Sequence, residues 1–218
     1  MTVPVAKELS LFIAAVRSQC EGLRRPTRGL EMFAREGGWM TIHYANMVDE
    51  MVCWEINEKY FPGLAANIPG ATICHVDSIA HAKVTDRRFD FISMDNPQGI
   101  FGDYCEHFEA IEQAASRLIK DAGILVFPVN IHPYLSKQTP SNDQYGMTSH
   151  DAWFARRAAF YGRPARQLDV VFVASFYKAK LAEYGLDTLA FHSTLMKSTV
   201  SGHPDYLVRC AARVERCR

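Results

Sequence analysis

The chain has 218 residues, of which 48% are hydrophobic and 22% charged, which is the composition of an ordinary globular protein of one α/β-sized domain. Basic and acidic residues number 24 each, so the formal net charge is zero and gives no support to nucleic-acid binding, although a local basic patch stays compatible with it. We expect no membrane span, because no long apolar run is present, and no signal peptide, because Lys7, Glu8 and Arg17 interrupt the apolar start.

Cysteine and histidine usage indicates a cytoplasmic protein without a metal centre. The six cysteines form no CxxC pair, which is typical of free thiols in a reducing compartment. The eight histidines have no metal-ligand spacing with cysteines or carboxylates, so we predict no metal site.

Apolar periodicity predicts helices and strands in alternation along the first half of the chain. A helix over residues 4–23 follows from apolar residues three and four positions apart, among them Leu9, Phe12 and Val16. The elements predicted after it are a short apolar strand at Leu30–Ala34, a helix at Trp39–Met47, a strand at Met51–Ile56, a short helix within Glu58–Asn67, a strand at Ala71–Val76 and a short helix at 79–83.

The second half continues the alternation and ends differently. The predicted elements are a strand at Phe89–Met94, a helix at Tyr104–Lys120 stopped by Asp121-Ala122-Gly123, a strand at Ile124–Val129, a loop at 131–150, helices at 151–161 and about 168–184, and strands at Leu189–Met196 and Tyr206–Val214. Alternation predicts a parallel sheet with helices on both faces, and the last two strands predict an antiparallel pair.

Acidic residues stand at the ends of successive predicted strands. Glu31 lies just inside the first strand, and Glu55, Asp77 and Asp95 close the next three. In parallel α/β sheets, ligands bind beyond the carboxyl ends of the strands at the point where the strand order reverses. The pattern therefore predicts a ligand site at this edge of the sheet.

The segment from Glu31 to Gly38, with the sequence EMFAREGG, resembles the acid-x-[GF]-x-G-x-G turn of the class I S-adenosyl-L-methionine-dependent methyltransferases. The order of elements supports the resemblance over about residues 28–130, and the final helix and hairpin extend it to the C-terminus. The resemblance implies a single domain over 1–218 with a Rossmann-like seven-stranded, mostly parallel sheet. Residues 1–28 are then an N-terminal helical extension, and 131–150 form a loop over the cleft.

The resemblance also assigns residues of the turn to the cofactor. It implies that Glu31 approaches the methionine end of S-adenosylmethionine and that Gly37 allows close backbone approach. The other turn residues implied to bind it are Phe33, Ala34, Glu36 and Gly38. The chain departs from the family at Arg35, where a central glycine is usual, and a positive φ there would cost about 1–3 kcal/mol.

Two further acids are implied to hold the nucleoside part. Glu55, followed by Ile56, is placed to accept hydrogen bonds from both ribose hydroxyls, a feature that also serves NAD; the alternative is a solvated acid at a strand end. Asp77 and Ser78 resemble the family's adenine clamp, and Asp77 is also a candidate N-cap for the helix at 79–83, a role compatible with the first.

The segment Asp95-Asn96-Pro97-Gln98-Gly99 falls where the family has its catalytic or substrate-facing loop, and the alternative is a Pro-Gly turn. It resembles only part of the [DN]PP[YF] loop of enzymes that methylate base amines. The candidate catalytic residues are Asp95, His107 and His132, with the histidines as general bases. The candidate substrate residues are Asn96, Pro97, Gln98, Tyr104 and Tyr134.

These features predict methyl transfer to a small-molecule or macromolecular acceptor that the sequence does not identify. Two alternatives stay open. One is another nucleotide cofactor on the same fold, such as NAD or the sulfonium donor of an aminopropyltransferase. The other is an inactive methyltransferase-like binding module, which Arg35 favours and the acids Glu31, Glu55 and Asp77 oppose.

Overall fold

A seven-stranded sheet organises the chain. The computed structural model describes residues 7–23, 28–95, 108–131, 150–164, 167–197 and 207–217. The strands are β1 (Arg28–Met32), β2 (Glu50–Glu55), β3 (Thr72–His75), β4 (Phe89–Met94), β5 (Ile119–Asn130), β6 (Leu186–Met196) and β7 (Leu207–Arg216). The helices are α1 (Lys7–Gly22), α2 (Thr41–Tyr44), α3 (Phe61–Asn67), α4 (Ser78–Val84), α5 (Glu109–Gln113), α6 (His150–Tyr161) and α7 (Val170–Glu183).

The strand order is β3-β2-β1-β4-β5-β7-β6. The first five strands are parallel to one another, whereas β7 is antiparallel to both β5 and β6. This confirms the predicted Rossmann-like sheet with its C-terminal antiparallel pair. The order reverses between β1 and β4, so a crevice opens at their carboxyl ends, and Glu31 and Asp95 stand at this switch point.

Helices cover both faces of the sheet, as predicted. On one face, α1, α2 and α3 pack on a cluster that includes Phe12, Tyr44 and Leu64. On the other face, α4, α5 and α7 bury a larger cluster around Trp54 and Phe127. Successive strand residues alternate between the two clusters, because side chains of a strand point to opposite faces. The side chains of Leu30 and Met32 point to the face covered by α4, α5 and α7. Glu31, which stands between them in the sequence, therefore points to the face covered by α2.

The helix predicted at Tyr104–Lys120 ends earlier than its stop signal indicates. Residues 104–107 lie outside the described residues; from Glu109 the helix runs through α5 into a π-helical turn that ends at Leu118. Gly123, predicted as the helix stop, instead lies inside β5 opposite Val214. A Cβ at Gly123 would lie 2.7 Å from the carbonyl oxygen of Asp90, so close packing of strands requires the glycine.

Other boundaries shift by a few residues. The first strand ends at Met32, so Phe33 and Ala34 belong to the following turn rather than to the strand. Of the loop predicted at 131–150, only the end residues are described: Ile131 is buried after β5, and His150 begins α6. In the described part of the chain, no helix is both long and apolar enough to cross a bilayer.

Candidate active site

A cavity of about 280 Å³ opens at the carboxyl ends of β1 and β4. Its walls are residues 34–41, which connect β1 to α2, together with Asp95 after β4. The turn after β1 thus forms one side of the cavity and the end of β4 the other. The ligand site predicted from the strand-end acids therefore coincides with an open space at the switch point.

In the turn after β1, every second residue from Phe33 to Gly37 has a left-handed backbone conformation. Phe33, Arg35 and Gly37 have φ values of 61°, 47° and 65°. In the family motif that this segment resembles, the first of these positions is phenylalanine or glycine, and the other two are glycine. The backbone therefore follows a path suited to glycine with side chains at two of its three positions, a strain of about 1–3 kcal/mol at each.

Three hydrogen bonds from neighbouring strands hold this turn in place. The N–H of Phe33 donates to Ser78 Oγ (3.2 Å), the N–H of Ala34 to the carbonyl of Trp54 (3.0 Å) and the N–H of Arg35 to Glu55 Oε2 (2.7 Å). The donors come from successive residues of the turn, and the acceptors stand at the ends of β2 and the start of α4. These bonds offset the strain because each satisfies a backbone donor near the edge of the core.

The side chain of Arg35 is exposed and contacts Tyr60 and Glu36. Its guanidinium carbon lies 5.2 Å from the ring centroid of Tyr60, and its Nε lies 3.6 Å from Glu36 Oε2. Both contacts are exposed, so they stabilise the conformation only weakly.

Packing explains Gly37 in a way the sequence did not indicate. A Cβ there would lie 2.7 Å from Leu64 Cδ1 on α3, so a side chain would require Leu64 to shift, in addition to adopting a positive φ of 65°. The sequence prediction attributed this glycine to close approach of a ligand. Its backbone does line the cavity, and the close contact with α3 is an additional constraint.

Glu31 is 1% exposed and lies opposite Ser93 on β4. The Ser93 hydroxyl donates a hydrogen bond to Glu31 Oε2, and the Thr41 side chain also hydrogen-bonds the carboxyl group. Burial is the main reason that the pKa of Glu31 is raised to about 8; the Ser93 hydrogen bond opposes the rise, and the charge of Asp95 adds to it. The group is thus mostly protonated at neutral pH.

Asp95 directly follows β4, and its N–H donates to the carbonyl of Met32 at 3.0 Å. This bond fixes the residue across the switch point from β1. Burial raises the pKa of Asp95, while the charges of Arg209 and Arg35 act in the opposite direction. A carboxyl group with a raised pKa in a cavity wall is suited to hold or accept a proton.

The carboxylate of Glu55 is 4% exposed, which makes the alternative of a solvated strand-end acid wrong. Its two oxygens accept the N–H groups of Arg35 and Asn57, each at 2.7 Å. A carboxylate offers about four acceptor positions, so two remain for a ligand. The adjacent Ile56 is 61% exposed and presents an apolar surface beside this acid.

Asp77 is the N-cap of α4, since its Oδ1 accepts the N–H of Ala80 at 2.8 Å. The capping role predicted for it is therefore confirmed, and its exposed carboxylate keeps acceptor capacity. The hydroxyl oxygen of Ser78 accepts the N–H of Phe33. The adenine clamp implied for Ser78 concerns its backbone N–H and stays a prediction.

Three residues that act on Glu31 or Asp95 were not predicted from the sequence, namely Arg209, Ser93 and Thr41. Arg209 lies on β7, where it is a charged residue in an otherwise apolar run from Leu207 to Ala212. That interruption was a usable signal, but only the register of β7 beside β5 places it near Asp95. Seven predicted site residues lie outside the described residues: Asn96, Pro97, Gln98, Tyr104, His107, His132 and Tyr134.

A larger cavity, of about 670 Å³, opens at the opposite edge of the sheet beside Asp90 and Lys120. The charges there are engaged within the protein: Lys120 Nζ lies 2.9 Å from Asp90 Oδ1, and Arg216 donates to the carbonyls of Ser116 and Ile119. It lies at the amino ends of β4 and β5, where parallel α/β sheets do not bind their ligands. Among the described residues, no cluster of three histidines, cysteines or carboxylates could hold a metal ion.

Replacing Glu31 tests its buried, protonated state. Between pH 4.5 and about 8, the unfolded chain ionises this carboxyl while the folded chain keeps the proton, so its contribution to stability falls as pH rises. Relative to wild type, Glu31→Gln should gain up to roughly 5 kcal/mol across this range, measured by denaturant unfolding at several pH values. Glu21→Gln, at an exposed position on α1, is the control, and parallel pH profiles for wild type and Glu31→Gln would contradict the assignment.

The strained turn gives a second prediction. Arg35→Gly removes a Cβ from a left-handed residue and keeps the N–H that binds Glu55, whereas Arg87→Gly makes the same exchange at an exposed residue without positive φ. Arg35→Gly should therefore be about 1–2 kcal/mol more stable than Arg87→Gly in urea denaturation. Equal losses in the two variants would show that the turn stores no strain.

No family model and no curated protein sequence matches the chain. Solved structures of methyltransferases do match it in fold. The N-methyltransferase NodS from Bradyrhizobium japonicum superimposes with a TM-score of 0.57 at 11% identity, covering 99% of this chain and 100% of NodS. The same enzyme in complex with S-adenosylhomocysteine gives 0.56 at 12% identity, over 96% of this chain and 89% of the other.

The plantazolicin methyltransferase BamL, in complex with a substrate analogue and S-adenosylhomocysteine, gives a TM-score of 0.54 at 10% identity, with 93% of this chain and 83% of BamL covered. At these identities the likeness concerns the fold. The strand order, the antiparallel β7 and the helices on both faces agree with it. The chain therefore has the class I methyltransferase fold.

Proposed function

We propose that this chain transfers a methyl group from S-adenosylmethionine to an acceptor. The observation that carries the proposal is the left-handed turn at Phe33, Arg35 and Gly37, which leads into the wall of a cavity opposite Asp95 at the switch point. Two structural neighbours, NodS and BamL, were solved with S-adenosylhomocysteine bound, which supports the same ligand for this fold.

The residues at this edge fit the cofactor. Along the strand order, Asp77 follows β3, Glu55 ends β2 and Glu31 lies on β1, so three carboxyl groups form a row toward the cavity. We assign the ribose hydroxyls to Glu55, which keeps two acceptor positions, and one face of the base to the exposed Ile56. The amino-acid end would then enter the cavity beside Glu31.

S-adenosylmethionine supplies a methyl group activated on a sulfonium. The protein has to align the acceptor with this group and exclude water, which requires positioning more than acid–base chemistry. Where the acceptor must lose a proton, Asp95 is the described residue suited to take it, because it lines the cavity and burial raises its pKa. His107 and His132 remain proposed as bases, and Asn96 to Gln98, Tyr104 and Tyr134 as acceptor contacts.

The second candidate function is a binding module without catalysis. Phe33 and Arg35 favour it, since they place side chains at turn positions where glycine would let a ligand approach the backbone. The cavity itself opposes it, because Arg35 forms part of the cavity wall, with its guanidinium over the Tyr60 ring, and still leaves about 280 Å³ open beside Asp95.

Ligand-induced stabilisation separates these functions. S-adenosylhomocysteine at 100 times its Kd should raise the free energy of unfolding by about 2.7 kcal/mol, which a thermal shift assay detects. NAD and decarboxylated S-adenosylmethionine are the matched competitors. An unchanged melting temperature with millimolar S-adenosylhomocysteine would contradict the cofactor assignment. Binding of S-adenosylhomocysteine without methyl transfer to any member of a broad acceptor panel would favour the binding module.

Removing the Glu55 carboxylate should affect both the turn and the ligand. Glu55→Ala leaves the N–H groups of Arg35 and Asn57 without their acceptor, which should cost about 1–3 kcal/mol of stability. It should also weaken S-adenosylhomocysteine binding by at least about tenfold in calorimetry, because charge-assisted bonds to the ribose are lost. Glu58→Ala removes a nearby exposed acid and should change neither quantity; unchanged affinity in Glu55→Ala would place the ribose elsewhere.

A further inference from the structure

Arg209 is a buried cation at the carboxyl edge of the sheet. It pairs in register with Pro128 on β5 and with Thr194 on β6, close to where β5 ends and β7 begins. Only 6% of the residue is exposed. Its side chain points to the same face as Glu31, because Leu207, Arg209 and Ala211 alternate with residues of the opposite core cluster.

The guanidinium of Arg209 lacks the partners that a buried cation needs. Its Nε is buried without a hydrogen-bond partner, and no hydrogen bond or ion pair of the described residues includes its other nitrogens. Its one described contact is with Trp39, whose ring centroid lies 5.7 Å from the guanidinium carbon. A buried cationic N–H without an acceptor is unfavourable, so the arrangement indicates a site where a ligand supplies the acceptor.

The surroundings place this donor group beside the cavity. Trp39 is 63% exposed and lines the cavity together with Thr41 and Asp95. The charge of Arg209 acts on the carboxyl groups of both Glu31 and Asp95, yet neither comes within ion-pair distance of it among the described contacts. The guanidinium therefore faces the region between Asp95 and Trp39 with its hydrogen-bonding capacity unused.

The chemistry of the site favours one kind of ligand group. A planar guanidinium matches a carboxylate in two parallel N–H···O bonds. A phosphate dianion would bring more negative charge close to Asp95, which repels it. The cavity volume of about 280 Å³ suits a small acid or the end of a larger ligand.

We propose that Arg209 binds the carboxylate of a ligand that occupies this cavity. The proposal deepens the proposed function and rests on it, because the carboxylate comes from one of two sources. Either it belongs to the amino-acid end of the cofactor, or it belongs to an acidic methyl acceptor. Trp39 then forms one wall of the same subsite, above the guanidinium.

The cofactor source is tested with two adenosine ligands that differ in their amino-acid end. S-adenosylhomocysteine carries the carboxylate, and 5′-methylthioadenosine lacks it. Calorimetric titration of wild type, Arg209→Met and the exposed control Arg88→Met gives the ratio of the two affinities. If the cofactor is the source, wild type and Arg88→Met prefer S-adenosylhomocysteine by at least tenfold, and Arg209→Met loses most of this preference.

The acceptor source is tested on the complex with saturating S-adenosylhomocysteine. Acetate and benzoate are titrated while the Nε–Hε resonance of Arg209, assigned by its absence from Arg209→Met, is followed by NMR. A saturable shift of this resonance, with an unchanged affinity ratio in Arg209→Met, assigns the carboxylate to the acceptor. An unchanged ratio together with no saturable shift overturns the proposal.

Two controls keep these outcomes separate from the proposed function and from misfolding. If wild type binds neither adenosine ligand, the proposed function fails, and the acetate and benzoate titration of the unliganded protein then decides the role of Arg209 alone. If Arg209→Met does not fold, Arg209→Lys replaces it, because lysine keeps the charge and loses the paired geometry. Full retention of the affinity ratio and of the NMR response to carboxylates in Arg209→Lys contradicts a bidentate site.

Discussion

The carboxylate of Glu55 connects the end of β2 to the turn after β1, and the shape of the cavity depends on this connection. Its two oxygens hold the N–H groups of Arg35 and Asn57 at 2.7 Å, while Ser78 holds the N–H of Phe33. These bonds keep non-glycine residues in left-handed conformations that an isolated chain rarely adopts. Without them the turn would relax, and residues 34–41 would no longer form a wall facing Asp95.

Buried charge sets the chemistry inside this frame. Glu31 sits among Ser93 and Thr41 on an otherwise apolar face, and burial keeps its carboxyl group mostly protonated at neutral pH with a pKa of about 8. Asp95 and Arg209 stand at the other side with opposite charges that do not pair directly. Burying ionisable groups without direct partners lowers the stability of a folded protein. Glu31, Asp95 and Arg209 lie close to the switch point, and clusters of buried ionisable groups are typical of ligand sites.

Much of the fold could be predicted from the sequence because local patterns agree with the global architecture. The strand at Phe89–Met94 was predicted with its observed bounds, since its β-branched and aromatic run ends in an acid. The helix stop at Gly123 was predicted wrongly, because a glycine between apolar runs has the same appearance in a helix end and in a crowded strand. Only the pairing of β5 with β7 distinguishes the two.

The sequence by itself determined the alternation of elements, the row of acids at the strand ends and the position of the turn after β1. Those features depend on residue type and spacing along the chain, because the periods of helices and strands appear directly in the order of apolar and polar residues. The tertiary structure alone decided that Glu55 holds the turn, that Leu64 of α3 crowds Gly37, and that Arg209 lies buried near Asp95. Each of these is a contact between residues far apart in sequence, and such contacts follow from strand order and register, which no local pattern encodes.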